Sequence, residues 1–239
     1  LTSEAYCALE ALKLAGFLVI PVTGRSAGWC DHIARMWPVD AVVGENGAFY
    51  FRYDRAEKKL HKYFCQDDEA LLNNAQKLKS ISKNVLDNIS GVSLASDQEF
   101  RLTDLAIDFA EDVEPLGLDE AQKIVDLAEA GGAIAKISSI HVNCWFGDHS
   151  KLSTSLTLLR DCFNITEDNI QESVVFVGDS PNDGTMFDYF DLSIGVANIN
   201  KFKDTLAELP SYVTEGFAGE GFTEVASYLL ANIDSIDNG

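Results

Sequence analysis

Two aspartates directly after a short apolar run give the strongest chemical signal in the sequence. The run from Val174 to Val177 is unbroken and rich in β-branched side chains, which is typical of a strand buried on both faces. Gly178 and Pro181 then favour a turn, and this turn carries Asp179 and Asp183. Ligands of open α/β sheets bind at the carboxyl ends of parallel strands, and a hard cation relieves the repulsion between two carboxylates. The spacing therefore predicts a Mg²⁺ site formed by Asp179 and Asp183.

The same loop also has a purely structural interpretation. Asp183 is well placed to accept hydrogen bonds in an Asx-turn and to cap a helix that begins near Gly184. We favour the metal site, because a strand, a turn and a helix in this order are the context in which such a motif carries chemistry.

Two further stretches could bind an anion. Thr23, Gly24 and Arg25 follow an apolar run and precede a helix, so they offer a hydroxyl, backbone N–H groups and a helix N-terminus to a phosphate. Lys151 is expected in the first turn of another helix, where the helix dipole disfavours a cation unless the cation faces an anion. The alternatives are a turn hydroxyl for Thr23 and a solvated surface lysine for Lys151. Together with a metal, these groups form the set that phosphoryl transfer requires.

The bulk composition excludes several classes of partner. A net charge of −20 argues against nucleic acid and against an anionic membrane surface, and it requires local positive charge or a metal for an anionic substrate. The sequence has no run of 18 apolar residues that could span a membrane. Its 5 scattered cysteines never form a CxxC pair, which favours a reducing cytoplasm over a disulfide framework. We expect a cytoplasmic protein that is a monomer or a homodimer.

The order of predicted elements indicates an α/β fold with a parallel-sheet core. Strands alternate with helices at both ends of the chain, and the first of these strands is expected over Phe17 to Val22. Between residues 55 and 147 the sequence pattern changes to strands of alternating hydrophobicity and two helices. This pattern is typical of an antiparallel sheet with one face covered by helices. We therefore predict a core domain over residues 1–54 and 148–239 and an inserted α/β cap domain over residues 55–147. Asp148 is expected to cap the helix that contains Lys151.

With these residues in view, the chain resembles the haloacid dehalogenase-like (HAD) superfamily. It is similar to the class with an α/β cap inserted between the second and third motifs, the Cof-type or sucrose-phosphatase-like branch. Thr23, within VTGR, matches the second motif, in which a threonine or serine at a strand end binds phosphate. Lys151, in GDHSK, matches the third, the lysine that holds nucleophile and phosphate together. The resemblance implies a Rossmann-like core and a small phosphorylated substrate, in particular a sugar phosphate.

Two other stretches carry the same resemblance. GDSPND matches the fourth motif, which implies that Asp179 and Asp183 bind Mg²⁺ and that Asn182 lies near the phosphate. ENGA, residues 45–48, stands where such proteins often show a similar tetrapeptide before the cap. The resemblance thus covers nearly the whole chain.

The first motif of the family, DxDGT, is absent from the sequence. Its first aspartate is the nucleophile that forms an aspartyl phosphate, and we expect it on a strand upstream of Leu1. The implied activity is that of a phosphomonoesterase. The alternatives are a phosphomutase-like transferase and a phosphate-binding protein without a nucleophile.

The cap is expected to recognise the substrate. His141, Asn143 and Trp145 alternate along one predicted strand and therefore share a face, and Arg101 and Asp104 are expected near it. The alternative for each is ordinary sheet packing with the polar residues facing solvent.

Overall fold

The structure is a computed structural model that describes residues 1–203, 206 and 208–233. The helices of this part of the chain are α1 (Ser3–Leu14), α2 (Ala27–Met36), α3 (Asp68–Asn88), α4 (Leu118–Ala130), α5 (Lys151–Phe163), α6 (Ile170–Ser173), α7 (Gly184–Tyr189) and α8 (Ala218–Ala231). The strands are β1 (Val42–Gly44), β2 (Phe49–Asp54), β3 (Lys59–Phe64), β4 (Ser93–Leu94), β5 (Asp104–Asp108), β6 (Ile134–Ile137), β7 (His141–Trp145), β8 (Phe176–Gly178), β9 (Ser193–Gly195) and β10 (Tyr212–Val213). Within these residues, no helix combines the length and the apolar character needed to cross a membrane.

The chain separates into two compact units. The first unit comprises Leu1–Pro21, Ile33–Val42 and Leu156–Gly239, and the second comprises Val22–His32 and Val43–Ser155. The second unit contains the whole predicted insert together with the segments that carry Thr23 and Lys151. The functional limits expected for the cap, residues 55 and 147, remain a prediction.

The first unit contains a parallel sheet in the order β10–β9–β8. Phe176 pairs with Ser193 and Gly178 with Gly195, and β8 ends at Gly178, directly before Asp179. Helix α1 is capped by the Thr2 side chain, which accepts from the Ala5 N–H. It lies against α8 at Gly219, where a Cβ would meet Ala5 Cβ at 3.2 Å. The parallel-sheet core is thus confirmed.

The second unit contains a four-stranded antiparallel sheet in the order β4–β5–β7–β6. One face of the sheet packs against α3 and α4 and forms an apolar core, in which Ile107 and Val142 of the sheet are fully buried with Val85 and Ile124 of the helices. Each such side chain contributes roughly 1.5–3 kcal/mol on burial. Because side chains alternate along a strand, the polar residues of β5 and β7 lie on the opposite face.

The expected strand over Phe17 to Val22 is wrong except at its last residue. Val22 forms a single parallel bridge with Val43, and the residues before it are in no strand. The Val19 N–H donates to the Asp40 side chain at 2.8 Å, and Pro21 has no N–H to donate. Two of the donors that a regular ladder could use are therefore missing from the apolar run.

Candidate active site

The turn formed by Thr23, Gly24 and Arg25 follows the bridge between the Val22 and Val43 backbones. The Thr23 N–H donates to the Val43 carbonyl at 2.9 Å, and the Thr23 hydroxyl accepts from the Arg25 N–H at 3.1 Å. The hydroxyl thus has the turn role that we gave as its alternative. Helix α2 begins two residues after Arg25, so its N-terminus follows the turn, where N–H groups and the helix dipole favour an anion.

A second turn, Glu45–Asn46–Gly47 (the ENG turn), has three consecutive residues in the left-handed region, with φ of 43°, 57° and 103°. Such a run is unfavourable for residues other than glycine and persists only where the surroundings fix it. Hydrogen bonds supply this support: the Asn46 N–H donates to the Thr23 carbonyl at 3.1 Å and the Glu45 N–H to the Arg25 carbonyl at 3.2 Å. The ENG turn therefore fixes the position of the Thr23–Arg25 turn, which the sequence predicts to bind phosphate.

The ENG turn also meets the start of α5, which is the helix of Lys151. The Thr154 hydroxyl donates to the Gly47 carbonyl. A Cβ at Gly47 would lie 2.1 Å from the Ser150 carbonyl oxygen and 2.7 Å from the Lys151 nitrogen, so only glycine fits. The structure thus joins the segments of Thr23 and Lys151 through one turn.

Lys151 is the first residue of α5 and is only 9% exposed, which excludes the alternative of a solvated surface lysine. The expectation that Asp148 caps this helix is wrong. Ser150 does so, because its hydroxyl accepts from the Ser153 N–H at 3.1 Å while the Ser153 hydroxyl accepts from the Ser150 N–H at 2.9 Å.

The Glu45 carboxylate is fully buried and joins three segments of the second unit. It accepts from the Ala27 N–H at 2.8 Å, at the N-terminus of α2. It also accepts from the N–H groups of Leu102, Thr103 and Asp104 at 3.0, 2.6 and 3.2 Å, and from the Thr103 hydroxyl. Burial, helped by the neighbouring Asp104 carboxylate, raises the pKa of Glu45 to about 7.

Arg101 extends this arrangement to the antiparallel sheet. Its guanidinium donates to the Gly24 carbonyl at 2.9 Å, to Asp104 at 2.9 Å and to Asp97 at 3.0 Å. The Asn143 amide donates to the other Asp104 oxygen at 3.0 Å. Arg101 holds the pKa of Asp97 below its ordinary range, whereas burial raises that of Asp104. Sequence reasoning expected Arg101 and Asp104 near this face but missed the hydrogen bond from Arg101 to Gly24.

The polar face of the sheet is buried, so the alternative of polar residues facing solvent is wrong. His141, Asn143 and Trp145 share the face as predicted, and all three are buried. His141 Nε2 lies 2.9 Å from a Glu111 carboxylate oxygen, whose partner oxygen accepts from the Arg25 guanidinium at 3.2 Å. Burial lowers the pKa of His141. Glu111 therefore bridges the predicted anion-binding turn and the sheet.

The GDSPND loop lies in the first unit, at the end of β8 as predicted. Asp183 is buried, and its Oδ2 accepts from the Asp179 N–H at 3.0 Å and from the Ser180 N–H at 3.3 Å, in a capping box with Ser180. Asp179 is exposed, and the Asn182 carboxamide accepts from the Ser180 hydroxyl at 2.5 Å. The capping role of Asp183 is therefore observed. Its hydrogen bonds shape the loop that carries the other carboxylate, that of Asp179.

The oxygen donors of this loop suit a hard cation. Mg²⁺ is held by one or two carboxylates and completes its shell with water or substrate oxygens, and Asp179 is exposed to solvent. Elsewhere in the described residues, Asp54, Glu57 and His61 bring three ligand atoms within 4.8 Å of one another on the β2–β3 hairpin. Asp54 and His61 are partly buried and Glu57 is exposed, and acidic groups near a surface are common without an ion, so we assign no metal to this group.

His149 stacks on Trp145, with ring centroids 6.0 Å apart, and both of its ring nitrogens are buried without a hydrogen-bond partner. Burial lowers the pKa of His149 to about 4. The unfolded chain, with an ordinary pKa of about 6.5, binds a proton first as the pH falls, so the contribution of His149 to stability is complete above about pH 6.5 and is lost towards pH 4.

We therefore predict that His149→Phe, which keeps the stacked ring but cannot titrate, reduces the pH dependence of stability. Between pH 7 and pH 5 the unmodified protein should lose about 2 kcal/mol more unfolding free energy than the variant. Urea unfolding of both proteins at the two pH values measures this difference, because other titrating groups are common to both. If the unfolding free energies of the two proteins change equally with pH, His149 is not held neutral in the folded protein.

Comparison with known proteins places the fold. No protein-family model matches the sequence, and no curated protein matches it. Among solved structures, sucrose-phosphatase from Synechocystis sp., in complex with sucrose and phosphate, has a TM-score of 0.64 at 15% identity, with 95% of this chain and 92% of that chain covered. The C-terminal domain of a trehalose-6-phosphate phosphatase from C. albicans has a TM-score of 0.68 at 12% identity, covering 96% and 84%.

A HAD/COF-like hydrolase from Plasmodium vivax is similar over 99% of this chain and 89% of that chain, with a TM-score of 0.65 and 18% identity. These likenesses define the fold: a Rossmann-like parallel-sheet core with an inserted α+β cap, as in haloacid dehalogenase-like phosphatases. The resemblance found in the motifs is thus confirmed at the level of the fold.

Proposed function

We propose that the chain carries the phosphate-binding and metal-binding groups of a Mg²⁺-dependent phosphatase that hydrolyses a small phosphorylated metabolite, in particular a sugar phosphate, and that its 239 residues alone are inactive. The observation that carries the proposal is the ENG turn, which holds the Thr23–Arg25 turn and the start of the Lys151 helix by hydrogen bonds and close packing. Threonine, backbone N–H groups, a helix N-terminus, arginine and a buried lysine are together suited to a phosphate.

The residues of the proposed reaction have separate tasks. Thr23, Gly24 and Arg25 bind the phosphoryl oxygens, and Lys151 neutralises the charge that develops on them. Asp179 and Asp183 would hold Mg²⁺, which polarises a phosphoryl oxygen when bound. Asn182 lies beside these carboxylates in sequence and is assigned to the phosphate. The proposed reaction passes through an aspartyl phosphate whose nucleophile is expected upstream of Leu1.

The test is phosphate release from a panel of sugar phosphates and other small phosphate esters, with and without Mg²⁺. Both the 239-residue chain and the product of its complete reading frame should be assayed. Mg²⁺-dependent turnover by the longer product alone supports the proposed mechanism. Turnover by the 239-residue chain would contradict an upstream nucleophile, and silence from both would favour the phosphate-binding alternative.

In the product that turns over, we predict that Lys151→Ala lowers kcat about 10²- to 10³-fold, because one positioned charge on the transition state is lost. Asp179→Asn should raise the Mg²⁺ concentration needed for half-maximal activity. Lys123→Ala, at an exposed lysine, is the matched control and should leave both quantities unchanged. Full activity of both site variants would refute the assignment.

A further inference from the structure

Asn46, the central residue of the ENG turn, has a polar group that the fold does not use. The residue is 4% exposed, and its Nδ2 is buried without a hydrogen-bond partner. Buried polar groups in native proteins are nearly always paired, because an unpaired donor costs roughly 1–3 kcal/mol. An orphaned donor of this kind therefore points to a ligand that pairs with it.

The carboxamide lies against the proposed phosphate-binding turn. A Cβ at Gly24 would be 2.9 Å from Asn46 Oδ1 and 3.1 Å from Nδ2, so the absence of a side chain at Gly24 makes room for the amide. The Asn46 N–H donates to the Thr23 carbonyl at 3.1 Å. The position of the amide is thus fixed relative to the backbone of Thr23 and Gly24.

The backbone conformation explains why this donor is an asparagine. Asn46 has a φ of 57°, a left-handed conformation that asparagine adopts far more readily than most residues with longer polar side chains. The turn therefore places a short, neutral donor where a flexible lysine or arginine would be strained.

We propose that Asn46 is a phosphate-binding residue, whose Nδ2–H donates to an oxygen of the substrate phosphate held at Thr23–Arg25. The inference rests on the proposed function and adds a neutral donor to the charged groups of Arg25 and Lys151. A neutral amide can donate a hydrogen bond to a phosphate oxygen without adding a further charge to the buried ion pairs of Arg101.

The experiment is calorimetric titration of the 239-residue chain with inorganic phosphate, in the presence of Mg²⁺. Asn46→Asp keeps the shape but replaces the donor by a negative charge, and we expect phosphate binding to weaken about 100-fold. Asn46→Gly removes the donor, fits the left-handed φ, and should weaken binding about 10-fold. Asn73→Asp adds the same charge at an exposed position of α3 and should leave binding unchanged.

The outcomes separate this inference from the proposed function. If the unmodified chain binds phosphate and both Asn46 variants bind it equally well, Asn46 is not a ligand and the proposed function stands. If the unmodified chain does not bind millimolar phosphate, the proposed phosphate site fails and the role of Asn46 fails with it. Should Asn46→Asp not fold, Asn46→Gly decides, because thermal unfolding shows whether its fold is intact.

Discussion

Replacing Arg101 with methionine is expected to lower the free energy of unfolding by about 4 kcal/mol. Methionine has a similar volume, so the loss comes from charge and hydrogen bonding. The guanidinium is almost fully buried and is bonded to Asp97, Asp104 and the Gly24 carbonyl. Removing one partner of a buried ion pair leaves an uncompensated charge, which typically costs about 3–5 kcal/mol. Urea unfolding followed by tryptophan fluorescence measures the loss.

Two comparisons isolate the cause. Lys123→Met breaks an exposed ion pair with Glu120 on α4 and should change stability by less than about 1 kcal/mol. Adding Asp104→Asn to Arg101→Met should restore part of the loss, because it removes the buried charge left without its partner. Equal stabilities for the Arg101 and Lys123 variants would show that the buried network contributes nothing beyond packing.

Gly47→Ala is expected to have an effect at least as large, about 4 kcal/mol or more, and to abolish phosphate binding. The added methyl group would stand 2.1 Å from the Ser150 carbonyl oxygen, which is backbone and cannot rotate away. The start of α5 must move, and Lys151 moves with it. Thermal unfolding and titration with inorganic phosphate measure the two effects.

The matched control is Gly132→Ala. Gly132 also has a positive φ, 81°, but a Cβ there meets only Phe146 Cε1 at 3.9 Å. The control therefore carries the conformational cost of alanine, about 1–2 kcal/mol, without the clash. A Gly47→Ala protein as stable as this control would mean that the ENG turn and α5 are not tightly packed.

Both predictions concern the support of the site. Arg101 connects the Gly24 backbone to β5, and Gly47 connects the ENG turn to α5. A group that must hold a phosphate within a few tenths of an ångström depends on such support, because a small displacement of a positioned group lowers the rate steeply.

The sequence alone determined the features that depend on local spacing. The turn after the apolar run and the helix from Gly184 are encoded within a dozen residues, so turn chemistry predicts them. The strand predicted over Val174 to Val177 is only partly correct, because β8 covers Phe176–Gly178 and Val174 and Val175 lie outside it. The antiparallel strands of the insert and the shared face of His141, Asn143 and Trp145 follow from the same rules.

Only the tertiary structure decided which distant groups meet. Glu45 finds its partners 57–59 residues along the chain, and Arg101 reaches Gly24 across 77 residues, distances at which no local pattern carries information. The same limit explains the error at Phe17 to Val22, where apolar character predicted a strand but the available hydrogen-bond partners did not form one. Side-chain type and spacing fix local conformation, whereas the pairing of buried polar groups is fixed by the folded backbone that brings them together.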